Sequence, residues 1–142
     1  MRTSVFTRAI LPACSHMKTA LITGISGQDG SYLAEILLDE GVRVLGSMRE
    51  TDPARLPAVI QNQVTLVPWN LLDSESMCSV LSDYSIDEIY NFAASSSGEG
   101  MLAHPVAMGA VNGLSVVRML QAMYHTNRRI HFCQPASSAM FG

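Results

Sequence analysis

The chain has 142 residues, of which 48% are hydrophobic and 15% are charged, and its formal net charge is −3. This length suits one domain with a sizeable core, and the charge gives no reason to expect nucleic acid or a membrane surface as a partner. Three cysteines without a CxxC pair support neither a disulfide framework nor a zinc site, so we expect a cytoplasmic protein. No apolar run approaches the roughly 20 residues of a membrane-spanning helix.

The first 17 residues are predicted to be a leader outside the domain. They contain Arg2 and Arg8, several Ser and Thr, and no acidic residue, which is the composition of a transit peptide. The stretch is short for targeting and includes Pro12, so a leader left by an upstream start, with Met17 as the functional start, is favoured. We expect residues 1–17 to be disordered and residues 18–142 to form the domain.

Strand and helix patterns alternate along the rest of the chain. The first half contains a predicted strand at 18–23, a glycine-rich turn, a helix at 31–40 ended by Gly41, and a strand at 42–45. Residues 49–63 are predicted to be a loop because prolines interrupt them, and a strand follows at 64–67. The second half contains a helix from Asp73 or Ser74 to about residue 83, a strand at 88–92, a helix at 105–125 and a strand at 130–133.

This alternation predicts an α/β fold, a Rossmann-type doubly wound parallel sheet. Right-handed crossovers would place its five strands in the order 3-2-1-4-5. The fifth strand would then be an apolar sheet edge, which a further strand would normally cover. We therefore expect the chain to be a truncated piece of a larger enzyme.

Three glycines at positions 24, 27 and 30 lie between the first strand and the first helix. Gly24 can take a tight turn, Gly27 lets the backbone approach a pyrophosphate, and Gly30 lets the helix pack close to the strand. The helix N-terminus offers N–H groups and a positive dipole end to phosphates. This turn predicts a dinucleotide site whose residues are Gly24, Ser26, Gly27, Gln28, Asp29 and Gly30.

The end of the second strand bears on the type of dinucleotide. Leu45-Gly46-Ser47 includes no acidic residue that could bind the ribose 2′-hydroxyl of NAD. Arg49 lies just beyond, and a guanidinium suits a 2′-phosphate, so NADP is favoured over NAD. Glu50 argues in the other direction, because its carboxylate would repel that phosphate.

Residues 20–35, above all Gly27-Gln28-Asp29-Gly30-Ser31-Tyr32-Leu33, resemble the start of the GDP-mannose 4,6-dehydratases. The resemblance extends over residues 18–142 and implies an extended short-chain dehydrogenase/reductase that uses NADP. In this family NADP takes a hydride from sugar C4, water is lost across C5 and C6, and the hydride returns to C6. The likeness implies that the catalytic hydroxyl belongs to Ser137 and that further cofactor contacts come from Asn70, Leu71, Ala93 and Ala94.

The sequence departs from the family pattern at several positions. Ala139 stands where the family has a glutamate acid/base, and alanine cannot move a proton. The family's Tyr-x-x-x-Lys pair would lie beyond Gly142, so we expect this chain to be inactive alone. Trp69-Asn70 replaces a usual Gly-Asp near the adenine, where Trp69 would either crowd the pocket or stack on the ring. Residues 95–97 replace a usual Gln-Ser-His.

Two other functions stay open. An epimerase or reductase acting on a nucleotide sugar needs the hydroxyl but not the glutamate, so Ala139 fits it. A non-catalytic dinucleotide-binding module fits a chain that ends at Gly142. Histidine spacing predicts no metal site. The resemblance implies a nucleotide-sugar substrate, with GDP-mannose favoured, and a homo-oligomer formed through the 105–125 helix.

Overall fold

The computed structural model describes residues 16–49, 52–95 and 103–136, and within them the chain forms one five-stranded parallel sheet. The strands are β1 (Thr19–Thr23), β2 (Arg43–Ser47), β3 (Thr65–Leu66), β4 (Glu88–Asn91) and β5 (His131–Cys133). They lie in the order β3-β2-β1-β4-β5. The predicted α/β fold and its strand order are therefore confirmed.

Four helices cover the sheet in the part of the chain that the structure describes. They are α1 (Gln28–Asp39), α2 (Ala58–Gln61), α3 (Ser74–Asp83) and α4 (Pro105–Thr126). The last helix contains a π-helical turn at Ala110–Leu114. Helices α3 and α4 pack against each other on one face of the sheet, and α1 and α2 lie on the other face.

The first strand supplies the centre of both hydrophobic cores. Successive side chains of a strand point to opposite faces, and Leu21 and Ile22 are both fully buried. Leu21 belongs to the cluster that includes Met77 of α3 and Met119 of α4, whereas Ile22 belongs to the cluster with Ala34 of α1. Burial on both faces explains why β1 is a continuous apolar run instead of an alternating one.

The segment between β2 and β3 differs from its prediction as a loop. It contains a 3₁₀ turn at Pro53–Arg55 and the short helix α2, so the loop prediction is wrong there. The side chain of Asp52 accepts a hydrogen bond from the Ala54 N–H at 3.0 Å and caps the turn. Proline lacks an N–H that would be unsatisfied at a helix start in any case, so Pro53 can be the first residue of the 3₁₀ turn and Pro57 the N-cap of α2.

Two helix boundaries follow from the residues beside them. Gly41 follows Glu40, the C-cap of α1, and has φ +76°, in the left-handed region that glycine adopts without strain, so the predicted helix stop is confirmed. Asp73 is the residue that caps α3, because its side chain accepts a hydrogen bond from the Glu75 N–H at 2.9 Å.

By length and mean hydropathy, α4 is the one helix among the described residues that could cross a membrane. The sequence expectation concerned unbroken apolar runs, and α4 is not such a run, because Asn112, Arg118 and Gln121 interrupt it. The core helix of a globular protein meets the same two criteria, and Met119, Ala122 and Met123 of α4 are buried in the core that it shares with α3.

Candidate functional site

The turn after β1 is a strand–turn–helix corner. Gly24 follows the last residue of β1 with φ +67°, a conformation that favours glycine. Helix α1 begins at Gln28, three residues before the predicted Ser31, and Gly27 is its N-cap with extended backbone and no side-chain capping bond. Because the first N–H groups of a helix have no acceptor within it, those of the first turn remain available to a ligand at the positive end of the helix dipole.

Close backbone packing explains why two of these positions are glycines. A Cβ atom at position 24 would lie 2.9 Å from the Cα and N of Ala93, on the segment after β4. A Cβ atom at position 30 would lie 2.7 Å from the Gly24 carbonyl oxygen and 2.9 Å from the Cα of Ile25. Any larger residue would therefore push β4 or α1 away from the turn.

A cleft of about 360 Å³ opens beside this turn. It lies at the carboxyl ends of β1 and β4 and beside the residues that follow β5, which is where α/β sheets bind their ligands. Its walls are Gly24, Gly27, Gln28, Asp29 and Gly30 from the turn and α1, Asn91, Phe92 and Ala94 from β4 and its loop, and Gln134, Pro135 and Ala136 after β5.

A chain of hydrogen bonds joins three strands at the base of the cleft. The Ala93 N–H donates to Thr23 Oγ1 at 3.1 Å, and the Thr23 hydroxyl donates to Asn91 Oδ1 at 2.5 Å. Asn91 Nδ2 then donates to Gln134 Oε1 at 2.7 Å, and Gln134 Nε2 donates to the Pro135 carbonyl at 3.1 Å. Because a backbone carbonyl can only accept, the Pro135 oxygen orients the Gln134 carboxamide, and this orientation fixes the direction of the bonds to Asn91 and from Thr23.

Three titratable groups with shifted pKa values, Lys18, Asp87 and Glu88, lie at the end of the sheet opposite the cleft. Lys18 Nζ contacts Glu88 Oε1 at 3.0 Å, and this hydrogen bond holds the pKa of Glu88 below its ordinary value and raises the pKa of Lys18. Burial opposes the shift at Asp87, but hydrogen bonds from the Thr19 N–H and from His16 leave its pKa lowered. These groups lie at the amino ends of β1 and β4, so they belong to the framework of the sheet and not to the cleft.

The sequence also matches a known family over most of its length. The family model described as GDP-mannose 4,6 dehydratase covers residues 21–142. The chain belongs to the GDP-mannose 4,6-dehydratase family. This places the glycine turn, the cleft and the strand ends within the matched region.

Individual relatives agree with this family. A GDP-mannose 4,6-dehydratase of Sordaria araneosa is 34% identical over 129 residues, which are 88% of this chain and 24% of that protein. GDP-mannose 4,6 dehydratase 2 of Caenorhabditis elegans is 33% identical over 147 residues, which are 94% of this chain and 38% of that protein. The chain thus spans less than two-fifths of the length of these relatives.

Solved structures share the fold. A UDP-glucose-4-epimerase of Stenotrophomonas maltophila, solved with bound NAD, has a TM-score of 0.77 at 21% identity over 89% of this chain and 39% of that one. A Bordetella bronchiseptica enzyme solved with NAD+ has a TM-score of 0.64 at 27% identity over 79% of this chain and 36% of that one.

The structure brings half of the predicted site residues together in the cleft: Gly24, Gly27, Gln28, Asp29, Gly30 and Ala94. Ser26 is exposed in the turn, and Ala93 packs against Gly24. The carboxyl ends of β2 and β3 lie at the same end of the sheet as the cleft. They are followed by Arg49, Asn70 and Leu71, which are not part of the cleft walls. Ser137 lies outside the described residues, as do Glu50, Ser96, Ser97 and Ala139.

Sequence reasoning missed five residues that line the cleft: Asn91, Phe92, Gln134, Pro135 and Ala136. Their positions in the sequence could have identified them as site residues. Ligands of α/β sheets bind at the carboxyl ends of strands, and all five residues lie at or just after such an end. Applying that rule to β4 and β5 as well as to β1 would have found them.

The structure shows the surroundings of Trp69 and Asn70, the two residues that replace the family's usual Gly-Asp. Trp69 is only 6% exposed and packs in the core with Val67 and Met77, so the expectation that it crowds or stacks on an adenine is wrong. Its Nε1 is buried without a hydrogen-bond partner among the described residues. Asn70 Oδ1 accepts a hydrogen bond from the Leu72 N–H at 3.0 Å, so one lone pair of this oxygen is already used.

No group of three or more His, Cys, Asp or Glu residues that could hold a metal ion occurs within residues 16–49, 52–95 and 103–136. The polar groups at the cleft are backbone amides, the carboxamides of Gln28, Asn91 and Gln134, and the carboxylate of Asp29. Such a set can bind and orient a phosphorylated ligand, which is the role of helix N-termini in many dinucleotide sites.

Proposed function

We propose that this chain is the dinucleotide-binding part of a nucleotide-sugar dehydratase that acts on GDP-mannose with NADP as its internal redox cofactor. The observation that supports this proposal most directly is the strand–turn–helix corner after β1. There Gly24, Gly27 and Gly30 leave the N-terminus of α1 open to the cleft. Membership of the GDP-mannose 4,6-dehydratase family supports the substrate class. Solved neighbours with bound NAD support a nicotinamide dinucleotide.

The residues around the cleft fit the pyrophosphate of such a cofactor. The N–H groups of Gln28, Asp29 and Gly30 would donate to the phosphate oxygens, and Gly27 has no side chain that would occupy their place. The dipole of α1 would favour the negative charge. When bound, the nicotinamide ring supplies an acceptor and then a donor of hydride at the sugar.

Residues beyond β2 and β3 would bind the adenosine half. Arg49 is exposed just after β2, where its guanidinium could form paired hydrogen bonds with a 2′-phosphate, and this position favours NADP. Asn70 and Leu71 would lie beside the adenine, with the free lone pair of Asn70 Oδ1 as an acceptor. Ala93 and Ala94 would contact the other half of the cofactor.

Ser137 would supply the catalytic hydroxyl. It comes directly after Ala136, which lines the cleft, and the resemblance assigns it the hydrogen bond to the sugar C4 oxygen. Ala139 supplies no group for the proton transfers of the elimination. We therefore propose that the isolated chain binds the cofactor without converting GDP-mannose.

Epimerisation of a nucleotide sugar is a second candidate. Ala139 favours it, because epimerisation does not require the glutamate that this position lacks. The epimerase from Stenotrophomonas maltophila, solved with NAD, favours the same reaction class through the fold. An NADH preference would support this candidate over the dehydratase.

A second copy of the chain is the proposed partner of α4. Five large apolar side chains on this helix are 47–85% exposed: Val106, Leu114, Val117, Leu120 and Tyr124. Solvent-exposed apolar stripes of this size commonly mark an interface. Two copies of the same helix could cover each other across a two-fold axis.

Calorimetric titration of the chain with NADPH and with NADH tests the cofactor proposal. We expect NADPH to bind more tightly than NADH, and Gly30→Ala to weaken both because its Cβ would collide with the Gly24 carbonyl. Gly109→Ala is the matched control, since a Cβ atom there meets nothing within 4 Å. Absence of binding by the wild-type chain, or an unaffected Gly30→Ala variant, would contradict the proposed site.

Incubation with GDP-mannose tests the proposed inactivity. We expect no 4-keto product by mass spectrometry from the chain with NADP. Formation of that product by the purified chain would refute the proposal that Ala139 leaves the elimination without its acid/base.

A further inference from the structure

The segment between β3 and α3 is a turn closed by its own hydrogen bonds. The Asp73 N–H donates to the Asn70 carbonyl at 3.1 Å, and the Leu72 N–H donates to Asn70 Oδ1 at 3.0 Å. Directly before the turn, the Trp69 N–H donates to the Val67 carbonyl at 3.0 Å. Asn70 thus supplies both acceptors inside the turn, whereas its own N–H has its partner outside it.

That partner is Ser76, in the first turn of α3. Its Oγ accepts a hydrogen bond from the Asn70 N–H at 3.1 Å and donates one to the Asp73 carbonyl at 2.9 Å. Because a backbone N–H can only donate and a carbonyl can only accept, both directions are fixed. One hydroxyl therefore binds the first and the last residue of the turn at 70–73 to the helix.

Both supports of this turn are fixed in the core. Trp69, directly before the turn, is buried beside Val67, and Met77, directly after Ser76, is fully buried in the same cluster. Because core side chains are closely packed, neither the start of the turn nor the first turn of α3 can shift without disturbing that cluster. The position of Ser76 is therefore passed to the backbone of Asn70.

The turn lies where the adenosine half of the dinucleotide is proposed to bind. It follows β3, whose carboxyl end is at the same end of the sheet as the cleft. Asn70 is exposed and Leu71 is half-buried, so a ligand can reach both. A turn that must be ordered before a ligand can bind lowers the affinity in proportion to the time it spends out of place.

Exposure separates this role from core stability. Both hydrogen bonds of the Ser76 hydroxyl are exposed to solvent. When such a bond is lost, water replaces the missing partner, and folding stability changes little. We therefore expect removal of the hydroxyl to affect the order of the turn more than the free energy of unfolding.

We propose that Ser76 is a positioning residue for the adenosine half of the cofactor, acting through the backbone of Asn70. This inference rests on the proposed function of the cleft. Ser76→Ala removes both hydrogen bonds, and Ser76→Thr keeps a hydroxyl at the same place. Ser79→Ala is the matched control, since Ser79 is an exposed serine further along α3 whose hydroxyl donates to Asp83 Oδ2 at 3.3 Å.

The test measures how tightly the wild type and the variants bind NADPH, adenosine 2′,5′-bisphosphate and inorganic pyrophosphate. The bisphosphate probes the adenosine half, whereas pyrophosphate would bind at the glycine turn alone. We expect Ser76→Ala to weaken the binding of NADPH and of the bisphosphate about fivefold, the effect of roughly one hydrogen bond. Its pyrophosphate affinity and its unfolding temperature should be nearly unchanged.

The other variants and the amide exchange of Asn70 complete the test. Ser76→Thr and Ser79→Ala should bind all three ligands as the wild type does. Exchange of the Asn70 amide should accelerate in Ser76→Ala, because this N–H loses its acceptor, and not in Ser79→Ala.

Equal affinities of the wild type and Ser76→Ala for NADPH and the bisphosphate would overturn the inference and leave the proposed function standing. An equal loss of pyrophosphate binding would also overturn it, because the damage would then not be confined to the adenosine half. A wild-type chain that does not bind NADPH would defeat the proposed function instead. In that case the amide exchange still decides whether Ser76 holds the turn, and unchanged exchange in Ser76→Ala would overturn that hold.

Discussion

Gly24 and Ala93 approach each other so closely that a Cβ atom on Gly24 would lie 2.9 Å from the Cα of Ala93. The contact joins the turn after β1 to the segment after β4, and the Thr23 hydroxyl strengthens it by accepting the Ala93 N–H. The two sides of the cleft are thus set by one backbone contact that only glycine permits.

Gly24→Ala should therefore destabilise the fold and abolish dinucleotide binding. We expect a loss of about 1–3 kcal/mol in the free energy of unfolding from the left-handed backbone alone, measured by urea denaturation. Gly41→Ala is the matched control, because Gly41 also has positive φ but a Cβ atom there meets nothing within 4 Å. Both variants should lose stability, and only Gly24→Ala should lose NADPH binding; equal binding losses would contradict the steric explanation.

The hydrogen bond between Asn91 and Gln134 should couple β4 to β5. Asn91→Ala leaves the buried Thr23 hydroxyl without its acceptor, so we expect it to reduce the free energy of unfolding by about 1–3 kcal/mol. Gln134→Ala should cost less, because Gln134 is exposed. A double-mutant cycle by urea denaturation should give a coupling of about 0.5 kcal/mol or more, and strict additivity would rule out the pairing.

Arg49 should decide the preference between the two dinucleotides. Arg49→Ala should weaken NADPH binding about tenfold and leave NADH binding unchanged, because hydrogen bonds to charged groups contribute about 1.5–3 kcal/mol. Arg128→Ala is the control, because Arg128 is also exposed but lies over the Tyr124 ring beyond the end of α4. Parallel losses of both ligands in Arg49→Ala would show that Arg49 does not recognise the 2′-phosphate.

The Lys18–Glu88 pair should make stability depend on pH. The hydrogen bond from Lys18, together with one from Tyr90, lowers the pKa of Glu88 in the folded chain although burial opposes the shift. A carboxylate with a lowered folded pKa stabilises fully above its unfolded pKa of about 4.3, and this contribution disappears as the pH falls through the folded value.

Glu88→Gln should accordingly reduce the urea midpoint at pH 7, and this reduction should become smaller as the pH falls toward 3. Glu75→Gln, at an exposed glutamate of α3, provides the comparison. A Glu88→Gln deficit of the same size at both pH values would disprove the link to the carboxylate charge.

The apolar stripe of α4 should mediate self-association. Val117→Glu places a charge in the stripe and should lower the molar mass observed by sedimentation from that of a dimer to that of a monomer. Val59→Glu is the matched control, since Val59 is 63% exposed and Val117 is 59% exposed, but Val59 lies on α2 at the other face of the sheet. A wild-type chain that is already monomeric would exclude this interface.

Local signals in the sequence predicted the fold and the phosphate turn. The glycine spacing, the buried β1 run and Gly41 each act through neighbouring backbone, so they can be recognised without a structure. The base of the cleft could not be predicted in this way, because Asn91 and Gln134 are 43 residues apart and meet only through the register of β4 and β5. The π-turn contains Asn112 and Gly113, which have low helix propensity, but low propensity does not by itself distinguish a π-turn from a helix end.

The most direct test is an amide NMR titration of the chain with NADPH. A ligand held by the N-terminus of α1 should shift the backbone amide signals of Gly27, Gln28, Asp29 and Gly30 first and most strongly. The amide signals of residues at the opposite end of the sheet, where the strands begin, such as Asp87 and Arg129, should remain unchanged. Shifts confined to that opposite edge, or no shifts at millimolar NADPH, would contradict the assignment of the turn as a pyrophosphate cradle.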